Sequence, residues 1–144
     1  GEGHIVNTAS MAGLVPGHSA YSASKWAVVG ITEGLYQTMR MRGTGVGVSC
    51  LCPGWVDTQI DRSERNRPEW AAPGLGVEAS AEEAAIRAFV SEQLRSGMQP
   101  DLVHDAILAD QFWIFTDDQM VQSLAGDYQA LLAGTNPPER VFGG

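Results

Sequence analysis

Val46-Gly47-Val48-Ser49-Cys50-Leu51-Cys52 carries no charge and has apolar side chains on both of its alternating faces. A strand with one wet face alternates apolar with polar, so a run apolar on both sides reads as a buried strand of a parallel sheet covered by helices. Pro53-Gly54 stops the run on one side, and Gly43 and Gly45 bound it on the other. Upstream, from about Ala20 to Arg42, the pattern is helical. Tyr21, Lys25 and Val28 share one face, while Trp26, Val29, Leu35 and Met39 supply apolar positions around the cylinder. Gly30 and Gly34 interrupt this helix at a cost of about 1 kcal/mol each relative to Ala, which predicts close packing against another element. Residues 11–19 hold two Gly and one Pro and read as a loop, and Ile5-Val6-Asn7-Thr8-Ala9 before them reads as a strand ending at Ser10. Strand, long helix, strand is a right-handed crossover unit.

Downstream, residues 57–76 are polar and rich in Arg, Pro and Gly, a long loop of the kind that is more often functional than idle. Ser80-Ala81-Glu82-Glu83 resembles a capping box and predicts a helix to about Ser96, broken by Gly97. Pro100 suits the first turn of a helix running to about Ala109. Phe112-Trp113-Ile114-Phe115 is the third predicted strand, residues 118–133 a last helix closed by Gly134, and 135–144 a loose tail. The fold class is therefore α/β with a parallel sheet, one domain over 1–144 interrupted by an insertion at 57–97.

The length of 144 residues accommodates one core, and 44% hydrophobic with 18% charged residues excludes disorder, collagen and coiled coil. A net charge of −8 argues against nucleic acid, which needs a clustered basic face. No stretch approaches the roughly 20 apolar residues that span a bilayer, and there is no signal-peptide pattern, so the expectation is a cytoplasmic location with no membrane partner. Cys50 and Cys52 are too close along an extended strand for an ordinary disulfide and read as small buried hydrophobes. His4, His18 and His104 lack ligand spacing, which argues against a metal site. The chain opens on Gly1-Glu2-Gly3-His4 and enters a strand at once, which suggests a fragment.

The chemistry concentrates in Tyr21-Ser22-Ala23-Ser24-Lys25. Residues four apart on a helix stand one above the other, about 6 Å along the axis. An ammonium that close favours the phenolate, and such a tyrosine can exchange a proton with an alcohol or carbonyl oxygen. Lys25 is also the single lysine of the chain. Ser10, in Asn7-Thr8-Ala9-Ser10, and the turn Pro53-Gly54-Trp55-Val56-Asp57-Thr58 fall at the ends of the two strands on either side of that helix. Ligands of open α/β sheets bind outside the carboxyl ends of the strands, so these segments converge on one crevice.

This ordered set over residues 3–58 is similar to the short-chain dehydrogenase/reductase family, with a weaker likeness over 98–116. The resemblance implies the distal three strands of a doubly wound, Rossmann-like sheet. It also implies an NAD- or NADP-dependent oxidoreductase that interconverts a secondary alcohol and a ketone. By the same resemblance Tyr21 is the general acid/base, Lys25 assists it and binds the nicotinamide ribose, and Ser10 binds the substrate oxygen. Pro53, Gly54, Val56 and Thr58 would contact the nicotinamide end of the cofactor. Met11, His18 and Trp55 are candidate substrate contacts, although His18 reads more readily as a plain surface residue. The family's helix of this position commonly packs on its counterpart in a second subunit, so a homo-oligomer is implied.

The chain departs from the family pattern in lacking the Thr-Gly-x-x-x-Gly-x-Gly turn that seats the pyrophosphate and the Asn-Ala-Gly stretch. That leaves a rival expectation, a non-catalytic remnant that only binds or oligomerises. Ser10 lies eleven positions before Tyr21, slightly closer than the family's usual spacing. Trp26 reads as core or subunit contact, Trp113 as sheet core, and Asp57 as a turn former. Arg62, Arg65 and Arg67 read as a solvated charge run or as a steering patch for an anion.

Overall fold

The computed structural model describes residues 1–17, 19–56, 68, 70 and 100–139. The chain divides into two compact units, one of Gly1–Gly54 with Gln99–Gly144, the other of Trp55–Met98. The predicted loop and helix of 57–96 lie outside the described residues, apart from 68 and 70.

In the first unit, β1 (Gly3–Thr8), α1 (Ala20–Arg42), β2 (Val46–Cys52), α2 (Pro100–Leu108), β3 (Trp113–Phe115), α3 (Asp118–Gln122) and α4 (Ala125–Ala133) follow in that order. The three strands form one sheet, ordered β1-β2-β3, and both pairings are parallel. Thr8 pairs with Leu51, and Leu51 pairs in turn with Ile114, so the carboxyl ends of the strands lie side by side. Being central, β2 is buried from Val48 through Cys52, as its double-sided apolar run requires.

Alternation along β2 sends its residues to two separate cores. Cys50 and Cys52 pack with Ala9, Met11, Leu14, Val29 and Leu124 on the α1 side. Leu51 packs with Ala106 and Ile114 on the α2 side, together with Val6, Leu102 and Val103. Helices thus cover both faces, the α/β arrangement expected of the sequence. The two thiols lie 3.8 Å apart, unbridged and fully buried. The contact with Cys50 and then burial both push the Cys52 thiol up.

Local chemistry fixes the ends of α1. Ser19 caps its start by accepting from the Ser22 amide at 3.0 Å, and Gly43, at φ 58°, closes it in the left-handed conformation that glycine tolerates best. Asp110 ends α2 at φ 51°, and its carboxylate pairs with Arg40 from the last turn of α1. The buried Ser49 hydroxyl donates to the Gln111 carbonyl at 2.6 Å and so accepts from His4 Nε2 at 2.7 Å.

Two expectations are narrowed and two are corrected. Within this chain Gly30 and Gly34 meet no close neighbour, since a Cβ on either would meet nothing within 4 Å, so the packing read for them is not against an element of the same chain. They lie on the outward face of α1, beside Trp26, which is 61% exposed, so of its two readings, core or subunit contact, the core one is excluded. The loop after Ser10 contains a 3-10 turn, Met11–Gly13, because the Ser10 hydroxyl caps it. The last helix is two helices, α3 and α4, separated at Ser123 and Leu124. Among the described residues no helix is long and apolar enough to cross a membrane, and no His, Cys, Asp and Glu cluster could hold a metal.

Candidate active site

Ser10 and Pro53 follow the carboxyl ends of β1 and β2, and three contacts stitch those ends together. The Pro53 carbonyl accepts from the Met11 amide at 2.8 Å and from Ser10 Oγ at 3.5 Å, while Ala9 N–H donates to the Leu51 carbonyl at 2.7 Å. Ser10 Oγ itself accepts from Ala12 N–H at 3.1 Å, so its position is set by the turn it caps. That turn lies against the first part of α1. A Cβ on Gly13 would stand 2.7 Å from both the carbonyl carbon and the oxygen of Lys25. Only a residue without a side chain lets the Ser10 turn approach the helix this closely.

Lys25 reaches back to the sheet. Its Nζ donates to the Thr8 carbonyl at 3.2 Å and lies 5.7 Å from the centroid of the Tyr21 ring, within range of a cation–π contact. Tyr21 is 44% exposed, whereas Ser10 and Lys25 are half-buried. An ammonium has three donors, and the hydrogen bond to Thr8 uses one. The arrangement is thus an accessible phenol beside a fixed positive charge, with a hydroxyl and a backbone turn from two neighbouring strand ends. Such a set can hold an oxygen atom and move a proton to or from it.

Of the residues expected in the site, the structure joins Ser10, Tyr21, Lys25, Pro53 and Gly54 through this chain of contacts. Met11, expected at the substrate, is instead core. Its side chain is 1% exposed and packs with Cys50, Cys52 and Leu124, because the first residue of the capped turn is directed into the α1 side of the sheet. His18 and Thr58 lie outside the described residues, as do Asp57, Arg62, Arg65 and Arg67. Trp55 and Val56 are half-buried and belong to the second unit.

Sequence reasoning missed three contributors. The Thr8 carbonyl anchors Lys25, and Gly13 admits the helix. Thr116, directly after β3, accepts from the Gly54 amide at 2.9 Å. The strand-end rule that pointed to Ser10 and Pro53 applies equally to Thr116, and was the available signal.

The family model for short chain dehydrogenases matches residues 1–69. A short chain dehydrogenase/reductase from Burkholderia phymatum, solved in complex with NAD, superposes with a TM-score of 0.83 at 34% identity, over 96% of this chain and 51% of that one. This chain belongs to the short-chain dehydrogenase/reductase family.

Two further members extend the comparison. The 1-deoxy-11-beta-hydroxypentalenate dehydrogenase of Streptomyces exfoliatus is 35% identical over 116 residues, covering 79% of this chain and 35% of the relative. A short chain dehydrogenase from Burkholderia cenocepacia, in complex with NADP, gives a TM-score of 0.54 at 26% identity, over 95% of this chain and 48% of that one. This family member therefore spans about half or less of the length of the relatives it matches.

Proposed function

We propose that this chain carries the proton-transfer side of an NAD(P)-dependent oxidoreductase that interconverts a secondary alcohol and a ketone. One observation carries the proposal. The Lys25 ammonium is tied to the Thr8 carbonyl and lies over the ring of an accessible Tyr21, at the carboxyl ends of parallel strands. The dehydrogenase named among the relatives, and the NAD and NADP held by solved neighbours, support the reaction and cofactor class.

The residues fit the nicotinamide and ribose end of such a cofactor. Lys25 has donors beyond the one on Thr8 for ribose hydroxyls, and the half-buried Pro53-Gly54 turn lies at the neighbouring strand end. When bound, the nicotinamide supplies or accepts the hydride. In the reducing direction Tyr21 gives its hydroxyl proton to the substrate oxygen, and the resulting phenolate is offset by the Lys25 ammonium. In the oxidising direction the phenolate takes the proton from the alcohol. Ser10 Oγ turns its single proton from the Pro53 carbonyl, 3.5 Å away, to the same oxygen, in a hydrogen bond that strengthens as negative charge grows there.

By the family resemblance, Val56 contacts the carboxamide and Thr58 the carboxamide or pyrophosphate, while His18 and Trp55 contact a small-molecule alcohol or ketone. The complete assembly is a homo-oligomer. The deciding experiment is calorimetric titration of the chain with NADH and NADPH, followed by turnover of a panel of secondary alcohols. Binding that is kept in Tyr21→Phe with turnover lost supports the assignment. Turnover that survives in Tyr21→Phe removes it, whereas a folded chain that binds neither nucleotide leaves the activity to a longer chain that also carries the pyrophosphate turn.

A further inference from the structure

The Pro53–Gly54 peptide is held at both of its polar ends. Its carbonyl accepts from the Met11 amide at 2.8 Å and Ser10 Oγ at 3.5 Å, and its N–H donates to Thr116 Oγ1 at 2.9 Å. Ser10 and Met11 follow β1, Pro53 follows β2 and Thr116 follows β3, so all three strand ends meet on one peptide unit. Beyond it, Gly54 is seated on the start of α3. A Cβ there would stand 2.8 Å from Asp117 Cβ and 3.1 Å from Met120 Sδ. Asp117 is itself fixed, its carboxylate capping α3 by accepting from the Met120 amide at 3.0 Å.

We propose that Thr116 is a positioning residue of the active site, its hydroxyl setting the plane of the Pro53–Gly54 peptide and, through the Pro53 carbonyl, the Ser10 hydroxyl. A peptide unit is rigid and planar, so a bond that fixes its N–H also fixes the direction of its carbonyl. Without an acceptor at Thr116, the half-buried Gly54 N–H lacks this partner and the unit tilts to find another. The tilt moves the acceptor that Met11 and Ser10 share. Thr116 acts through this peptide and needs no contact with substrate. The inference rests on the proposed function for the meaning of the Ser10 position, but not for the hydrogen-bond relay itself.

The test compares Thr116→Val, which keeps the shape and removes the acceptor, with Thr116→Ser, which keeps it. Amide hydrogen exchange of Gly54 and Met11 is read by NMR on the full 144-residue chain without nucleotide, and NADH affinity is then measured by calorimetry. In Thr116→Val both amides should exchange about tenfold faster, with Thr116→Ser restoring them, and the NADH Kd should rise by roughly five- to tenfold. Unchanged exchange at both amides overturns the relay, as does acceleration at Gly54 alone, which would leave Ser10 uncoupled from Thr116. If Thr116→Val does not fold, Thr116→Ala, which admits water, takes its place with the same criteria. Failure of the wild-type chain to bind NADH bears on the proposed function alone, while the exchange data still decide the relay.

Discussion

Lys25 Nζ is hydrogen-bonded to the carbonyl of Thr8 across the gap between α1 and the end of β1, at 3.2 Å. The bond fixes the ammonium at a defined place over the Tyr21 ring, where an unanchored lysine would sample many rotamers. Position, and not merely charge, is what the strand end contributes.

Replacing Lys25 therefore separates anchoring from charge. Lys25→Arg keeps the charge but, with a planar fork in place of a compact ammonium, does not reproduce the geometry on a single carbonyl. Turnover should fall on the order of 10²-fold or more in Lys25→Ala and substantially in Lys25→Arg. The bond lies at an exposed position, so the thermal midpoint of either variant should stay within a few degrees of wild type. Steady-state kinetics with differential scanning calorimetry checks both parts.

Gly13 carries the packing side of the same geometry. A methyl group there meets the Lys25 backbone at 2.7 Å, and backbone cannot rotate away as a side-chain tip can. Gly13→Ala should destabilise by roughly 1–3 kcal/mol, the usual cost of overpacking, and lower the thermal midpoint by several degrees. Because the turn must retreat from α1, turnover should fall further than stability alone explains, when assayed well below the midpoint.

The crossover unit was legible because its signals are local. The apolar run of β2, the glycines after α1, and Tyr21 four residues before Lys25 each need only a few neighbouring residues to be read. What escaped depends on contacts distant in sequence. The anchoring of Lys25 uses a backbone carbonyl, which every residue has, so nothing in the identity of Thr8 announces it. Thr116 stands 62 positions from Gly54, and only the order of strands in the sheet brings them together. Met11 was misplaced because proximity in sequence to Ser10 says nothing about side-chain direction; the 3-10 turn sends it inward. Gly30 and Gly34 were read as packing positions from their cost alone, whereas the space around them is open within the chain.

The cysteines give a prediction in the opposite sense. Cys50 and Cys52 are both fully buried in the α1-side core. The contact with Cys50 and burial hold the Cys52 thiol above its ordinary range, which keeps it protonated and unreactive. An aromatic disulfide reagent should label neither thiol in the native chain at neutral pH, and both in denaturant. Raising the pH to about 9, near the ordinary cysteine pKa, should still leave Cys52 unlabelled on the same timescale. Rapid native labelling of both would contradict the buried placement.

Gly30 and Gly34 lie in the interior of α1, with nothing within 4 Å of a Cβ built on either. Within a single chain, alanine at these positions is free of clashes and removes the entropic penalty of a helical glycine. Each substitution should stabilise by about 0.5–1 kcal/mol, and the pair together should raise the thermal midpoint by a few degrees. Trp26 and Ile31 on α1 are exposed at 61% and 69%, so the same helix also offers apolar surface to a second copy. If two copies bring their α1 helices together closely at the glycines, the added methyl groups will collide, and the midpoint will fall as the sedimentation coefficient drops. Scanning calorimetry and analytical ultracentrifugation on Gly30→Ala, Gly34→Ala and the double variant separate the two cases. A rise without change of mass means the glycines serve no subunit contact, and a fall with dissociation means they do.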